Sequence, residues 1–169
     1  MTNRLNTEQT RLRKVLHTIA RQAQHASLTG ALHGGETACV RQYNNIPTRL
    51  QATGVLDDAI YRAAFSPLPE DANYDEIGIS AGLLERCFDG ALEDAEDDNS
   101  HAYRAAHHIL VAVGKMAERA SLTGHLEGGR SRLVGHYNAV QAGLNAVGVL
   151  PEGLFDMLEV ESGTLGEVS

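Results

Sequence analysis

The chain is poor in the features that mark secreted or membrane-inserted proteins. Among its 169 residues are only two cysteines, Cys39 and Cys87, which are too few for the disulfide framework of a small secreted domain. The first residues are not a cationic segment followed by an apolar run, and no stretch approaches the roughly 18 consecutive apolar residues that a spanning helix needs. We therefore expect a cytoplasmic protein that does not enter a membrane.

Motifs for catalysis or cofactor binding are also scarce. The G-x-x-x-x-G-K-[ST] loop that cradles phosphates is absent, and neither cysteine lies in a context that would activate it as a nucleophile. The eight histidines, at positions 17, 25, 33, 101, 107, 108, 125 and 136, form no Glu-x-x-His pairs of the kind that bind two metal ions in a helical bundle. We predict no catalytic residue, no metal site and no cofactor.

The net charge of −8 is unevenly distributed along the chain. Residues 1–54 carry seven Lys or Arg against two Asp or Glu, whereas residues 55–100 carry two against thirteen. An acidic total is unfavourable for non-specific binding to a phosphate backbone, which depends on basic surface. Nucleic acid is therefore ranked as a partner behind a protein or a second copy of this chain.

A row of basic residues follows one side of the first predicted helix. Arg4, Arg11, Lys14 and Arg21 fall within about a 100° sector beside its apolar face. Such a row can contact acidic residues of a partner or the chain's own acidic segment 55–100, and pairing of this kind orients segments more than it stabilises them. Arg11 and Lys14 are therefore predicted to bind a partner.

The most informative pattern is an internal repeat with an offset of 94 residues. Ala26-Ser-Leu-Thr-Gly30 returns unchanged as Ala120-Ser-Leu-Thr-Gly124, and residues 26–56 match residues 120–150 at 16 of 31 positions. The returning residues are mostly glycines and apolar residues. The repeat therefore indicates architecture rather than chemistry.

Within each copy the apolar residues follow the spacing of amphipathic helices. The first helix is predicted to run from near Thr7 to about Leu32, and the second from near Glu36 to Gly54. Pro47 removes a backbone hydrogen bond, so the second helix is expected to bend or break before Thr48. The same hairpin is predicted in the second copy, and a short helix is expected after each hairpin, at 57–61 and at 151–155.

The segment between the copies has no duplicate. Residues 66–71 are predicted to form a loop, and residues 74–91 another amphipathic helix. Residues 93–100 are too charged to pack, so they are interpreted as a solvated linker, with Asn99 or Ser100 capping the next helix.

Two repeated features invite a structural explanation and a functional one. A glycine inside a helix costs roughly 0.5 to 1 kcal/mol, so Gly30 and Gly124 are predicted either to lie where helices cross closely or to adopt positive φ angles at the helix turn. The pairs Tyr43-Asn44 and Tyr137-Asn138 recur in the second helix of each copy. They are predicted either to make structural hydrogen bonds or to line a shared cavity, and we take all four as candidate ligand- or partner-binding residues.

These patterns predict an all-α protein, a helical bundle built from two internally repeated helical-hairpin units with pseudo-twofold symmetry that stack on each other. The predicted division is repeat 1 at 1–65, the loop, connecting helix and acidic linker at 66–100, repeat 2 at 101–160 and a flexible tail at 161–169, all within one compact domain. Duplicated units often reproduce the interface of an ancestral homodimer, and a homodimer of the present chain is a further expectation.

The predicted function is that of a cytoplasmic, non-enzymatic helical interaction or scaffold protein, which binds a protein partner or associates with itself. The alternative is a helical ligand-binding regulator or sensor with a pocket between the repeats. A small enzyme ranks third.

Overall fold

The fold is all-helical, as predicted. The computed structural model describes residues 7–31, 34–52, 65–90, 98–124, 127–146, 148 and 157–159. These ranges contain no strand, and their helices are α1 (Thr7–Thr29), α2 (Glu36–Ala52), α3 (Tyr74–Gly90), α4 (Asp98–Thr123) and α5 (Arg130–Ala146), with a 3-10 turn at Glu127–Gly129. The short helices predicted at 57–61 and 151–155 lie outside the described residues.

Helices α1 and α4 end at glycines with the same backbone conformation. Gly30 has a φ of 65° and Gly124 a φ of 67°, in the left-handed region that glycine adopts without steric cost. Their amides donate to the carbonyls of Ala26 and Ala120, respectively, at 2.9 Å. The close crossing predicted for Gly124 was wrong, because a Cβ added there would have no atom within 4 Å, whereas the alternative prediction of positive φ angles is confirmed at both glycines. The prediction that α1 reaches Leu32 was wrong as well.

Helix α2 continues through Pro47 to Ala52, so the helix does not break before Thr48, and the alternative, a bend at this position, stays a prediction. A proline inside a helix removes the hydrogen bond to the carbonyl four residues earlier. Pro47 is buried together with Ile46 and Leu50, and this apolar burial offsets the loss of the bond.

Helix α3 is the central element of the bundle rather than an amphipathic connection. Every residue from Ile77 to Leu84 is buried, while the residues that flank this run are charged: Asp75, Glu76, Glu85 and Arg86. The helix contacts α1, α2, α4, α5 and the 3-10 turn. A helix that is apolar on all sides over two turns must be covered on all sides, which explains its position.

The two hairpins therefore pack on α3 rather than on each other. The α1–α2 pair and the α4–α5 pair each contact α3, and within the described residues the two pairs share at most an isolated contact. The predicted direct stacking of the hairpins was wrong, because the single unrepeated helix takes the place between them. All five helices still contribute to one apolar core.

The start of α3 is fixed by a reciprocal cap. The Asn73 side chain accepts a hydrogen bond from the Glu76 amide, and the Glu76 carboxylate accepts one from the Asn73 amide, both at 2.9 Å. This is a capping box in which the side-chain oxygen of Asn73 takes the role that a serine or threonine hydroxyl usually has. Helix α4 begins at Asp98, so Asn99 and Ser100 lie inside it rather than capping it as predicted.

No helix within the described residues combines the length and the apolar content that crossing a membrane requires. The division of the chain into the four predicted segments stays a prediction.

Candidate functional site

A polar cluster at the start of α3 joins the two hairpins. The Ser27 hydroxyl of α1 donates to the Asp75 carboxylate at 2.5 Å. The other carboxylate oxygen of Asp75 accepts from the Gly128 amide at 3.2 Å, and the Asn73 side chain donates to the Gly128 carbonyl at 3.0 Å. One carboxylate of α3 thus connects α1 to the turn that precedes α5.

A groove lies next to this cluster, between α1 and α4, and α3 contributes one residue to its lining. The open space amounts to about 70 Å³. The residues that line it are Gln24, Ser27, Leu28, Arg86, Lys115, Met116, Arg119 and Ala120. The first helix of each hairpin therefore contributes one wall.

The groove is cationic although the chain as a whole is acidic. Arg86, Lys115 and Arg119 line it, and none of its lining residues carries a carboxylate. Within the described ranges, these three side chains form no ion pair. Cations without partners on the walls of one groove favour the binding of an anion.

Apolar side chains complete the groove. Met116 and Ala120 are buried in its α4 wall, and Leu28 of α1 is 57% exposed. Large exposed leucines are ordinary when they stand alone, but this one borders a concave surface. The combination of charge and apolar contact fits a ligand that has both an anionic and an apolar part.

The predicted asparagines each hold a segment of backbone. Asn44 donates to the Leu68 carbonyl at 2.9 Å and accepts from the Leu68 amide at 2.8 Å. Asn138 makes the same two bonds with Leu158, at 2.7 and 2.9 Å. Such a two-bond clamp fixes the chain that follows each hairpin.

The predicted tyrosines differ from each other. Tyr43 is fully buried, whereas Tyr137 is half-buried and its hydroxyl accepts a hydrogen bond from the Gln141 side chain at 2.5 Å. Neither tyrosine is among the residues that line the cationic groove. Whether these pairs bind a ligand stays a prediction.

The predicted basic residues Arg11 and Lys14 lie elsewhere on α1. Both are exposed and border a shallow hollow between α1 and α2, together with Val15, Thr18, Ile19, Gln22 and Gln42. The structure does not bring them together with the cations of the groove. Arg4, which was part of the same predicted row, lies outside the described residues.

The histidines that the structure describes lie on α1, α4 and α5. His17 on α1 lies 2.8 Å from the Glu85 carboxylate on α3, and His136 is buried with its ring centroid 5.7 Å from that of Phe65. Among the described residues, no three His, Cys, Asp or Glu side chains are grouped so that they could hold a metal ion.

A thiol and a phenol meet at the first hairpin turn. Burial, and to a smaller extent the nearby Glu36 carboxylate, raises the pKa of Cys39. Burial also raises the pKa of Tyr74, with smaller contributions from Glu36 and Cys39, while a backbone hydrogen bond from Gly35 acts in the opposite direction. A raised pKa lowers the fraction of the thiolate, which is the nucleophilic form of cysteine.

The prediction of no catalytic residue depended in part on the absence of a G-x-S-x-G nucleophile elbow, but residues 78–82 carry that pattern. An elbow requires a sharp strand-to-helix turn that exposes the serine. Ser80 instead lies inside α3, fully buried, and accepts a hydrogen bond from the Arg132 side chain at 3.1 Å. A Cβ added at Gly78 would lie 3.5 Å from that of Ala23, which is ordinary van der Waals contact.

Comparison of the chain with protein-family models, with curated proteins and with solved structures finds no match.

The sequence analysis did not predict the three groove cations, although the repeat contains a signal for two of them. Lys115 and Arg119 lie one helical turn apart, and their counterparts in the first copy are Arg21 and His25. Basic residues thus recur at two equivalent positions without being identical. Comparing charge as well as identity between the copies would have pointed to this wall of the groove.

Proposed function

We propose that this protein is a cytoplasmic, non-catalytic ligand-binding regulator, and that the groove between α1 and α4 binds an anionic compound with an apolar portion. The observation that supports this proposal best is the grouping of Arg86, Lys115 and Arg119, without an ion-pair partner among the described residues, around a partly apolar groove in a chain of net charge −8. We thus prefer the alternative function predicted from the sequence, a ligand-binding regulator with a pocket between the repeats, to that of a scaffold protein.

The position of the groove gives a physical reason for regulation. Its walls belong to different hairpins, which have little direct contact with each other and are joined through α3. A ligand that touches both walls binds best to the arrangement that holds them at the right distance, and it shifts the population towards that arrangement. Ser27 borders the groove and also bonds Asp75, so the ligand acts next to the link between the hairpins.

We also propose that the two copies are related by a pseudo-twofold axis. Three observations support this. Helices α2 and α5 begin and end at positions that differ by the repeat offset of 94 residues, the terminating glycines of α1 and α4 share their conformation, and the asparagine clamp occurs in both copies. A superposition of residues 7–52 on residues 101–146 in an experimental structure tests the axis directly.

Octanoate is a suitable first probe, because it joins one carboxylate to a short alkyl chain. We expect it to raise the melting temperature, with acetate and octanol as controls that carry only the charge or only the apolar chain. At ten times its dissociation constant, a ligand stabilises the folded state by about 1.4 kcal/mol, which corresponds to a few degrees for a domain of this size. Isothermal titration calorimetry then measures the affinity.

A pair of matched variants localises the binding. Arg86→Ala with Arg119→Ala is expected to weaken octanoate binding about tenfold or more, because it removes two of the three groove cations. Arg11→Ala with Lys14→Ala removes the same charge from the hollow between α1 and α2 and is expected to leave the affinity unchanged. A loss in the second variant instead of the first would assign the site to the predicted basic row, and equal binding of octanoate and octanol would contradict an anion site.

The scaffold interpretation remains the second candidate because of two leucines. Leu28 and Leu122 occupy equivalent positions in the two copies, and both are exposed, at 57% and 79% of their surface. A large apolar residue that recurs on the surface is what a protein interface requires. Nucleic acid has no comparable observation in its favour.

A further inference from the structure

The outer face of the C-terminal half of α4 carries two exposed apolar residues. Val111 is 41% exposed and Leu122 is 79% exposed. They are eleven residues apart, which is three helical turns, so they point to the same side of the helix within about 20°. Helices α3 and α5 pack on other sides of α4 and leave this face open.

A pair of opposite charges lies between these two apolar residues. Lys115 and Glu118 are both exposed, and the spacing from Val111 through Lys115 and Glu118 to Leu122 is four, three and four residues. This is the spacing of side chains that form a seam along one side of a helix. A shallow hollow on the same face is lined by Leu110, Val111 and Gly114 together with the two charged residues.

We infer that this face binds the same face of a second copy of the chain, with the two α4 helices antiparallel across a twofold axis. In that arrangement Val111 of each copy faces Leu122 of the other, and Lys115 of each faces Glu118 of the other. The exposed leucine enters the hollow beside Gly114, where the absence of a side chain leaves room for it. One patch thus provides both halves of the contact, as a twofold interface requires.

The order of the residues identifies the partner as a second copy. Along this face the order is apolar, cation, anion, apolar. When a second copy runs in the opposite direction, the same order places apolar residues against apolar residues and each cation against an anion. The equivalent positions on α1 are His17, Arg21, Gln24 and Leu28, which lack both the acid and the first apolar residue. Helix α1 therefore does not present this pattern and serves as an internal control.

The contact is expected to be weak. A single helix pair is smaller than the standard protein interface of about 1,600 Å², so the dimer should dissociate in the micromolar range. Sedimentation equilibrium over about 1 to 500 µM, without any added ligand, measures it. A wild-type chain that stays monomeric throughout this range would overturn the inference.

Charge reversal tests the pairing of residues directly. Glu118→Lys places like charges opposite each other at two symmetric points, so the dissociation constant is expected to rise about tenfold or more. Adding Lys115→Glu to the same chain exchanges the two charges and should restore the wild-type constant. A double variant as weak as the single one, or a single variant as strong as wild type, would contradict the antiparallel contact.

A second variant tests the apolar ends. Leu122→Glu should abolish measurable association, whereas Leu28→Glu, at the equivalent position on α1, should leave the dissociation constant unchanged. Both leucines are exposed, so thermal unfolding should show that both variants fold. Equal changes in the dissociation constant for the two substitutions would contradict the assignment of the interface to α4. Lys115 lines both the proposed ligand groove and this face, but Glu118 and Leu122 do not line the groove, so Glu118→Lys and Leu122→Glu test the dimer separately from ligand binding.

Discussion

The two hairpin turns contain the same pair of glycines in different surroundings. In the first turn, Gly34 has a φ of 82°, and an added Cβ would have no atom within 4 Å. In the second turn, a Cβ at Gly128 would lie 2.9 Å from a carboxylate oxygen of Asp75, and one at Gly129 would overlap with Cδ1 of Ile79 and lie 3.2 Å from the Asp75 backbone. One turn uses glycine for its conformation, and the other uses it for close approach to α3.

This difference arises because there is one α3 for two hairpins. Its first residues meet both turns, but with different side chains. Tyr74 receives a backbone hydrogen bond from Gly35 in the first turn, while Asn73 and Asp75 bond Gly128 in the second. Identical residues in two copies therefore need not have identical roles when a single element breaks the symmetry between them.

Among the substitutions that test this difference between the turns, Gly129→Ala should lower the free energy of unfolding the most. The added methyl group meets a side chain and the backbone of α3 at once, so we expect a loss of about 2 to 3 kcal/mol in the free energy of unfolding, measured by urea denaturation. Combining it with Ile79→Val removes Cδ1 and should cost less than the sum of the two single changes. A loss no greater than that from Gly34→Ala would show that the second turn is not tightly packed.

The asparagine clamps should be the next most sensitive point, and here the two copies should behave alike. Asn44→Ala and Asn138→Ala each leave a partly buried backbone amide and carbonyl without their partner, so each should cost about 2 kcal/mol. Asn44→Asp keeps the acceptor for the Leu68 amide but places a second acceptor oxygen against the Leu68 carbonyl, so it should not recover the stability that Asn44→Ala loses. Variants that melt like wild type but lose octanoate binding would instead favour a ligand-binding role for these residues.

Gly34→Ala tests the conformational half of the comparison. There is room for the methyl group, so only the left-handed backbone is penalised, and the expected cost is about 1 kcal/mol. Gly34→Asn should cost less, because asparagine tolerates this conformation better than alanine does. Equal costs for the two substitutions would indicate that the turn changes its backbone to accommodate a side chain.

The smallest effect should appear at alkaline pH and only through the first turn. The pKa of Cys39 is raised above its ordinary value of 9.0 and that of Tyr74 above 10.0. The unfolded chain therefore loses these protons first, so the free energy of unfolding should fall as the pH rises above about 9. Tyr74→Phe should flatten this slope, whereas Asn73→Ala, which affects the second turn and removes no titrating proton, should leave the slope as steep as in wild type.

Much of the helical pattern could be predicted from the sequence, because apolar periodicity and glycine positions are local signals. The start of α2 at Glu36 and the extent of α3 are two examples. The central position of α3 could have been predicted too, since residues 77–84 form an uncharged run between charged pairs. The continuity of α2 through Pro47 could not, because it depends on burial in the folded core.

The sequence holds a signal for the α4 wall of the groove, but the assembly of the whole groove could not be predicted from it. Arg86 and Arg119 are distant in sequence and belong to helices whose packing angle no local pattern sets. The residues predicted from repeated identity, Asn44 and Asn138, fix the backbone in both copies. Identity between the copies thus pointed to shared structural bonds, whereas the groove cations Lys115 and Arg119 are not identical to their counterparts Arg21 and His25.

The burial of α3 between the hairpins has a consequence for how the molecule melts. Stacked repeat proteins can lose their units one after another, because each unit touches only its neighbours. Here the apolar faces of both hairpins become exposed when α3 loses its packing, so the two halves should unfold together. Heating should accordingly produce one calorimetric transition, with equal van't Hoff and calorimetric enthalpies, despite a duplicated sequence.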